Sequence, residues 1–233
     1  MGAPRTARSI GLLYLITMLP APFNLVYLPS HFLVPGNATA TAQRIVDAEM
    51  LYRLCVLAGL WSTVLFIFLG FSLSNLFRNV DRRQARLLVG LVLVTSTIGL
   101  INLINDLAPL VLLSGSDYFA AFSKPQLDAL VMGFLRLRGI GLGIDAVFWG
   151  LWLLPFGLLV MKSGFMPRWI GVLLIIGCVG YLIQALTAVL WPGYVHRVFN
   201  LTIPLVAPGE ISAITWLLVR GNRVPIAQGE ALA

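Results

Sequence analysis

Charge is what this chain has least of. Asp, Glu, Lys and Arg make up 11% of its 233 residues, against roughly 25% in an ordinary soluble domain. So few charges cannot solvate the surface of a globule of this length, which excludes a soluble enzyme. A hydrophobic share of 59% equally excludes an intrinsically disordered chain, which needs low hydrophobicity. Cysteine is nearly missing: Cys55 and Cys178 each stand inside an apolar run, without CxxC spacing, and read as small buried hydrophobes rather than as a disulfide or metal framework. The two histidines, His31 and His196, fall in expected outer loops far apart in sequence and define no metal site. HExxH, GxSxG and P-loop motifs are all absent. The residues give no cofactor, no metal and no catalytic residue, and weigh against an enzyme.

What remains is a polytopic membrane protein. About 20 mostly apolar residues cross a bilayer as a helix, and six such runs occur, at about 10–28, 54–77, 87–113, 137–161, 170–191 and 198–219. No large soluble domain fits between them, so residues 1–233 read as a single all-α domain of six membrane helices. The net charge of +7 comes from basic residues that flank the runs rather than line one face, which argues against nucleic acid. With the N-terminus inside, Arg5, Arg8, Arg78, Arg82, Arg83, Arg86, Lys162, Arg168, Arg220 and Arg223 are internal. Arg44, Arg53, Lys124, Arg136, Arg138 and Arg197 are external, ten against six. The positive-inside rule then sets both termini in the cytoplasm, as in a multi-pass protein of the cell (inner) membrane. The small-residue site Ala38-Thr39-Ala40 lies too far beyond the first run for a signal peptide, so that run is expected to stay. Outer connections are the longer ones, with a short helix expected from about Thr41 and helical character resuming over Leu127 to Leu135.

Ionised residues inside a span cost at least about 2.5–3.5 kcal/mol each on insertion scales, yet several are present. Glu49 and Arg53, at i and i+4, open the second run; Asn102, Asn105 and Asp106 form a stripe on the third; Arg136, Arg138 and Asp145 stand in or beside the fourth; Glu210 is near the middle of the sixth. All belong to the middle or outer half of the membrane, which implies a polar zone there. Four acids against three bases leave one acid unmatched. The charges either pair and merely fix helix packing, or line a site for a polar ligand, ion or proton. In the fourth run Arg138, Asp145, Trp149 and Trp152 share one face, and Gly139, Gly143, Gly150 and Gly157 the other, where small residues permit close helix approach. Pro204 and Pro208 before Glu210 predict a kink or break in the sixth run, and Pro20 and Pro22 a bend in the first.

Several segments carry a resemblance. They are Gly11-Leu12-Leu13-Tyr14-Leu15, Ala48-Glu49-Met50-Leu51-Tyr52-Arg53-Leu54, and the stretch from Lys162 through Met166-Pro167-Arg168-Trp169-Ile170-Gly171 to Leu173. Near the end come Gly209-Glu210-Ile211 and Trp216-Leu217-Leu218-Val219-Arg220-Gly221. In this order, over nearly the whole chain, they resemble the DUF4386 family of bacterial membrane proteins. The resemblance implies a six-helix integral membrane protein without an assigned activity or catalytic residue, and draws attention to Glu49, Arg53 and Glu210.

The expectation from the sequence is a carrier or binding protein for a small polar or charged ligand entering from the outer side. Its site residues would be Glu49, Arg53, Asn102, Asp106, Arg138, Asp145 and Glu210. Glu210 and Asp106 would meet a cation or proton, Arg138 would pair with Asp145, and Glu49 with Arg53 would close the mouth. The alternatives are an intramembrane enzyme acting on a lipid-like substrate through an Asp/Glu acid–base pair, and a non-catalytic membrane partner or regulator. The bilayer is the one partner the sequence names; it does not specify an oligomeric state.

Overall fold

The structure is a computed structural model describing residues 7–221, so Arg5 and Arg223 lie outside the described residues. It is all-α, with six helical segments long and apolar enough to cross a membrane: Ala7–Phe32, Glu49–Phe77, Arg82–Leu112, Lys124–Ser163, Arg168–Leu190 and Pro192–Arg220.

The first segment is interrupted, as its prolines require. Helix α1 (Ala7–Met18) stops before Pro20 and Pro22, a π-helical turn follows over Phe23–Tyr27, and α2 (Leu28–Phe32) completes the crossing. Helix α3 (Ala38–Asp47) is a short amphipathic helix whose first turn is capped by the Asn37 side chain, which accepts from the Ala40 amide. Helix α4 (Glu49–Phe77) returns across the bundle, and Asp81 caps α5 (Arg82–Leu112) by accepting from the amides of Arg83 and Gln84.

The fourth crossing is longer than the sequence suggests. Helix α6 (Lys124–Leu151) starts at a Ser123–Gln126 capping box, well before residue 137, and so absorbs the stretch expected as an outer connection. It gives way at Trp152 to α7 (Leu153–Ser163). Pro155 has no amide to offer the carbonyl of Leu151, which accounts for the break there. Gly164, at φ 71°, ends α7 in the left-handed conformation that favours glycine. Helices α8 (Arg168–Leu190) and α9 (Val195–Arg220) follow. Of the kink or break expected in the last crossing, the break does not occur: Pro204 and Pro208 both lie inside one continuous α9, as membrane helices allow when neighbours re-satisfy the freed backbone groups. His196 falls in the first turn of α9 and His31 in α2, rather than in loops.

The glycines of the fourth crossing pack it against α8. A methyl group added at Gly157 would lie 2.7 Å from the carbonyl oxygen of Gly171, and one at Gly150 would lie 2.9 Å from that of Cys178. Gly143 faces Ala188 in the same seam, but Gly139 meets nothing within 4 Å and takes no part in it.

Along the bundle axis the interior falls into three layers. At one end a hydrophobic cluster is built on Tyr14, Leu73, Phe77, Leu88, Phe156 and Leu217. At the other a second cluster holds Leu28, Phe32, Tyr52, Val56, Leu112 and Leu135. Between them the long helices contribute polar and small residues, such as Gly59, Ser62 and Thr63 of α4 and Thr95, Ser96 and Gly99 of α5. The first end also gathers positive charge: Gly221 packs on Ala7 and Arg8, while Lys162 meets Asp81 beside the arginines of the α4–α5 turn.

Candidate functional site

The middle layer holds a partly open cavity of about 160 Å³, and one of its walls is a closed polar network. That wall begins with the π turn. There the Leu28 amide bonds to the carbonyl of Phe23. Pro29 has no amide, so the carbonyl of Asn24 has no helical donor. Arg138 of α6 supplies one: its Nη2 donates to the Asn24 carbonyl at 2.6 Å and to Asn24 Oδ1 at 3.0 Å. The Asn24 amide in turn donates to Asp106 Oδ2 of α5 at 3.2 Å. Arg138 Nε stands 2.5 Å from Asp106 Oδ1, an ion pair in which neither atom has another hydrogen-bonding partner. Tyr52 of α4 donates to the Asp106 carbonyl, and Asn102 donates to the Arg138 carbonyl while accepting from Asn105. Asp106 and Arg138 are both buried. Desolvation of such a pair is compensated only when its remaining polar valences are filled, and here Asn24 fills most of them.

Two further acids line the same cavity without a base. Asp145 of α6 accepts from Thr95 Oγ1 of α5 at 2.5 Å. Glu210 of α9 accepts from Tyr14 of α1 at 2.9 Å and from Tyr181 of α8 at 3.3 Å. Among the described residues neither acid is in an ion pair. The sequence's balance of charges leaves one acid unmatched, but the structure leaves two, because Arg136 is exposed and turned away from the cavity. Ser62 and Ser96 also line the cavity, and their buried hydroxyls have no hydrogen-bond partner.

The expected Arg138–Asp145 pair is not formed. Seven residues along one helix is a rise of about 10 Å, too far for the guanidinium to reach, whereas Asp106 on the neighbouring helix comes to it. Glu49 and Arg53 do pair, at 2.6 Å, but with side chains about half exposed (53% and 50%). They stand at the start of α4 and are not part of the cavity wall. Asn102, Asp106, Asp145 and Glu210 do line it, with Arg138 directly behind Asp106.

Sequence reasoning missed Tyr14, Asn24, Thr95 and Tyr181. The signal for Asn24 is an amide side chain set between Pro22 and Pro29 in an apolar run, where a freed carbonyl needs a donor. The tyrosines gave a weaker one: they stand inside apolar runs rather than at the edges, where an aromatic belt would place them.

The fold and its interior thus define a multi-pass, all-α membrane protein with a polar-lined cavity between its two hydrophobic layers. The family model described as "Domain of unknown function (DUF4386)" matches residues 9–221, and the chain belongs to that family. A protein of Archaeoglobus fulgidus bearing the description "Uncharacterized protein" is 34% identical over 83 residues, which is 36% of this chain and 48% of that relative. The match therefore spans about half the relative's length. No solved structure matches.

Proposed function

We propose that this chain is a carrier or binding protein for a small polar or charged ligand held in the mid-membrane cavity. One observation carries the reading: Asp145 and Glu210, from different helices, line a single cavity and, among the described residues, neither is in an ion pair. A carboxyl group in apolar surroundings is retained either as the neutral acid or beside a cation. Helix packing alone calls for neither, since the Arg138–Asp106–Asn24 network already ties three crossings together.

In this reading Glu210 and Asp145 contact the ligand or a proton, and the Arg138–Asp106 pair closes the cavity toward the α2–α3 end. The chain forms one membrane domain in the cell membrane, with the basic end and both termini in the cytoplasm. That orientation is supported by the concentration of Arg8, the α4–α5 arginines and Lys162 at one end of the bundle.

The test is a thermal-shift screen of small polar and charged solutes on the purified protein, run in parallel on Glu210→Gln. A ligand at about 100 times its Kd stabilises by about 2.7 kcal/mol. The expected result is a stabilising solute whose effect disappears in a Glu210→Gln variant that still unfolds cooperatively. A solute whose affinity is unchanged by the substitution contradicts the assignment of Glu210.

A further inference from the structure

The walls of the cavity narrow the class of ligand. Beside the two acids stand four aromatic side chains, Phe66, Trp149, Trp152 and Tyr181. Among these four the rings meet steeply: Phe66 and Trp152 at 84° with centroids 5.0 Å apart, and Trp149 and Tyr181 at 70° and 5.8 Å, while Trp152 is backed by Phe156, stacked on it at 14° and 5.5 Å. This cage is fastened to Glu210. Tyr181 donates to its carboxylate while packing on Trp149, and Tyr14 donates to it while packing edge-on to Trp152 at 6.2 Å.

Ring faces are negative and attract a cation within about 6 Å of the centroid, most strongly where water is excluded. Resting on the reading of the cavity as a ligand site, we infer that it is built for a small organic ammonium ion, with Glu210 as counter-charge and the Trp149–Tyr181 and Phe66–Trp152 corners as walls. An anion is disfavoured, because two carboxyls face it and the neighbouring guanidinium is consumed by Asp106 and Asn24. A divalent metal ion wants a shell of several oxygen, nitrogen or sulfur ligands, and no group of three or more His, Cys, Asp or Glu able to hold one occurs among the described residues. A neutral guest gives the Glu210 carboxylate no counter-charge. Size agrees as well, since an engineered cavity of about 150 Å³ accepts a benzene-sized molecule, and tetramethylammonium is of that order. The buried, partnerless hydroxyl of Ser96, in a residue 2% exposed, supplies a polar group that the protein itself does not use.

The experiment is calorimetric or tryptophan-fluorescence titration of the full chain in nanodiscs. The probes are tetramethylammonium and choline, with 3,3-dimethylbutan-1-ol as the uncharged isostere of choline and sodium and potassium as inorganic controls. Saturable binding of the ammonium ions is expected, with the uncharged isostere at least tenfold weaker. Trp149→Leu and Glu210→Gln should each weaken binding about tenfold or more, and Trp149→Phe less than Trp149→Leu. Either variant could fail to fold, so Ser96→Val is the companion. It removes a partnerless buried hydroxyl and fills part of the cavity, so it should melt no lower than the parent while binding ammonium at least tenfold more weakly.

Equal binding of the uncharged isostere, or binding of sodium or potassium alone, overturns the ammonium assignment and leaves a ligand site standing. If no probe binds to a folded protein and the screened solutes also fail to stabilise it, both the assignment and the ligand-site reading fall.

Discussion

Removing Arg138 is the most discriminating perturbation of the polar network. In Arg138→Met the methionine fills much the same volume, but Asp106 loses its 2.5 Å ion-pair partner and the Asn24 carbonyl loses its 2.6 Å donor. Both charged side chains are buried, at 4% and 2% exposure, so solvent screening does not dilute the effect. Breaking a buried pair by deleting one partner costs about 3–5 kcal/mol. An orphaned buried acceptor costs about 1–3 kcal/mol alone. The two losses share one site and do not add fully, so about 4 kcal/mol is expected, a large fraction of the roughly 5–15 kcal/mol that stabilises a folded protein. The double variant Arg138→Met/Asp106→Leu removes the stranded charge and should recover most of that, ending within about 2 kcal/mol of the parent. Asp106→Leu alone strands Arg138 at a similar cost of about 3–5 kcal/mol, so the coupling between the two positions implied by the cycle is about 5–6 kcal/mol. Reversible unfolding of the micelle-solubilised protein, followed by near-UV circular dichroism for parent, both single variants and the double, measures it. A single variant within about 1 kcal/mol of the parent, or a double variant as unstable as the sum of the singles, refutes the reasoning.

Two further outcomes test the packing and the basic end. Gly157→Val should cost about 1–3 kcal/mol or more by driving α7 off α8, because its Cβ would sit 2.7 Å from the Gly171 carbonyl oxygen; Gly139→Ala, with open space around it, should be neutral or stabilise by up to about 1 kcal/mol. At the basic end, the Lys162 ammonium 2.7 Å away and the amides of Gln84 and Arg83 hold the Asp81 carboxyl below the usual carboxylate range. A carboxyl lowered on folding adds stability above its unfolded value of about 4 and loses it as pH falls through the folded value. The melting temperature of the parent should therefore fall more steeply below about pH 4 than that of Lys162→Met; parallel profiles for the two proteins count against this role for Lys162.

The architecture was legible because hydropathy and charge are conditions on whole segments. Six apolar runs had to become six crossings, since a bilayer leaves an exposed backbone no other hydrogen-bonding solution short of a barrel. The Asn102–Asn105–Asp106 stripe was legible for the same reason: helical spacing puts i, i+3 and i+4 on one face whatever the partners are. Partner choice was not. Whether Arg138 meets Asp145 or Asp106 depends on the register of α5 against α6, which no local pattern records. The extent of α6 was obscured by Ser114 to Ser123, a polar stretch that reads as one long connection until the capping box at Ser123 is recognised. In α9 the prolines do not break the helix, which is continuous through both, and Gly209, just after them, lets the backbone approach that of Leu173 and Leu174 of α8 closely.

The division of charge follows from that register and gives the cavity its character. Asn24 is the pivot, because it completes the coordination of Arg138 and Asp106 at once and thereby removes the nearby cation from the cavity's balance. If Asn24 sat on a regular α-helix, its carbonyl would be occupied by the amide four residues on, and Arg138 would lack that acceptor. The π turn and Pro29 together prevent this. The interruption of the first crossing is therefore more than a bend. It neutralises one acid on the cavity wall and leaves Asp145 and Glu210 as the uncompensated pair between two apolar layers. Pro29→Ala would add an amide five residues on, the position from which a continued π turn donates to the Asn24 carbonyl. By this reasoning it should loosen the hold on Arg138, even though Pro29 lies outside the cavity wall.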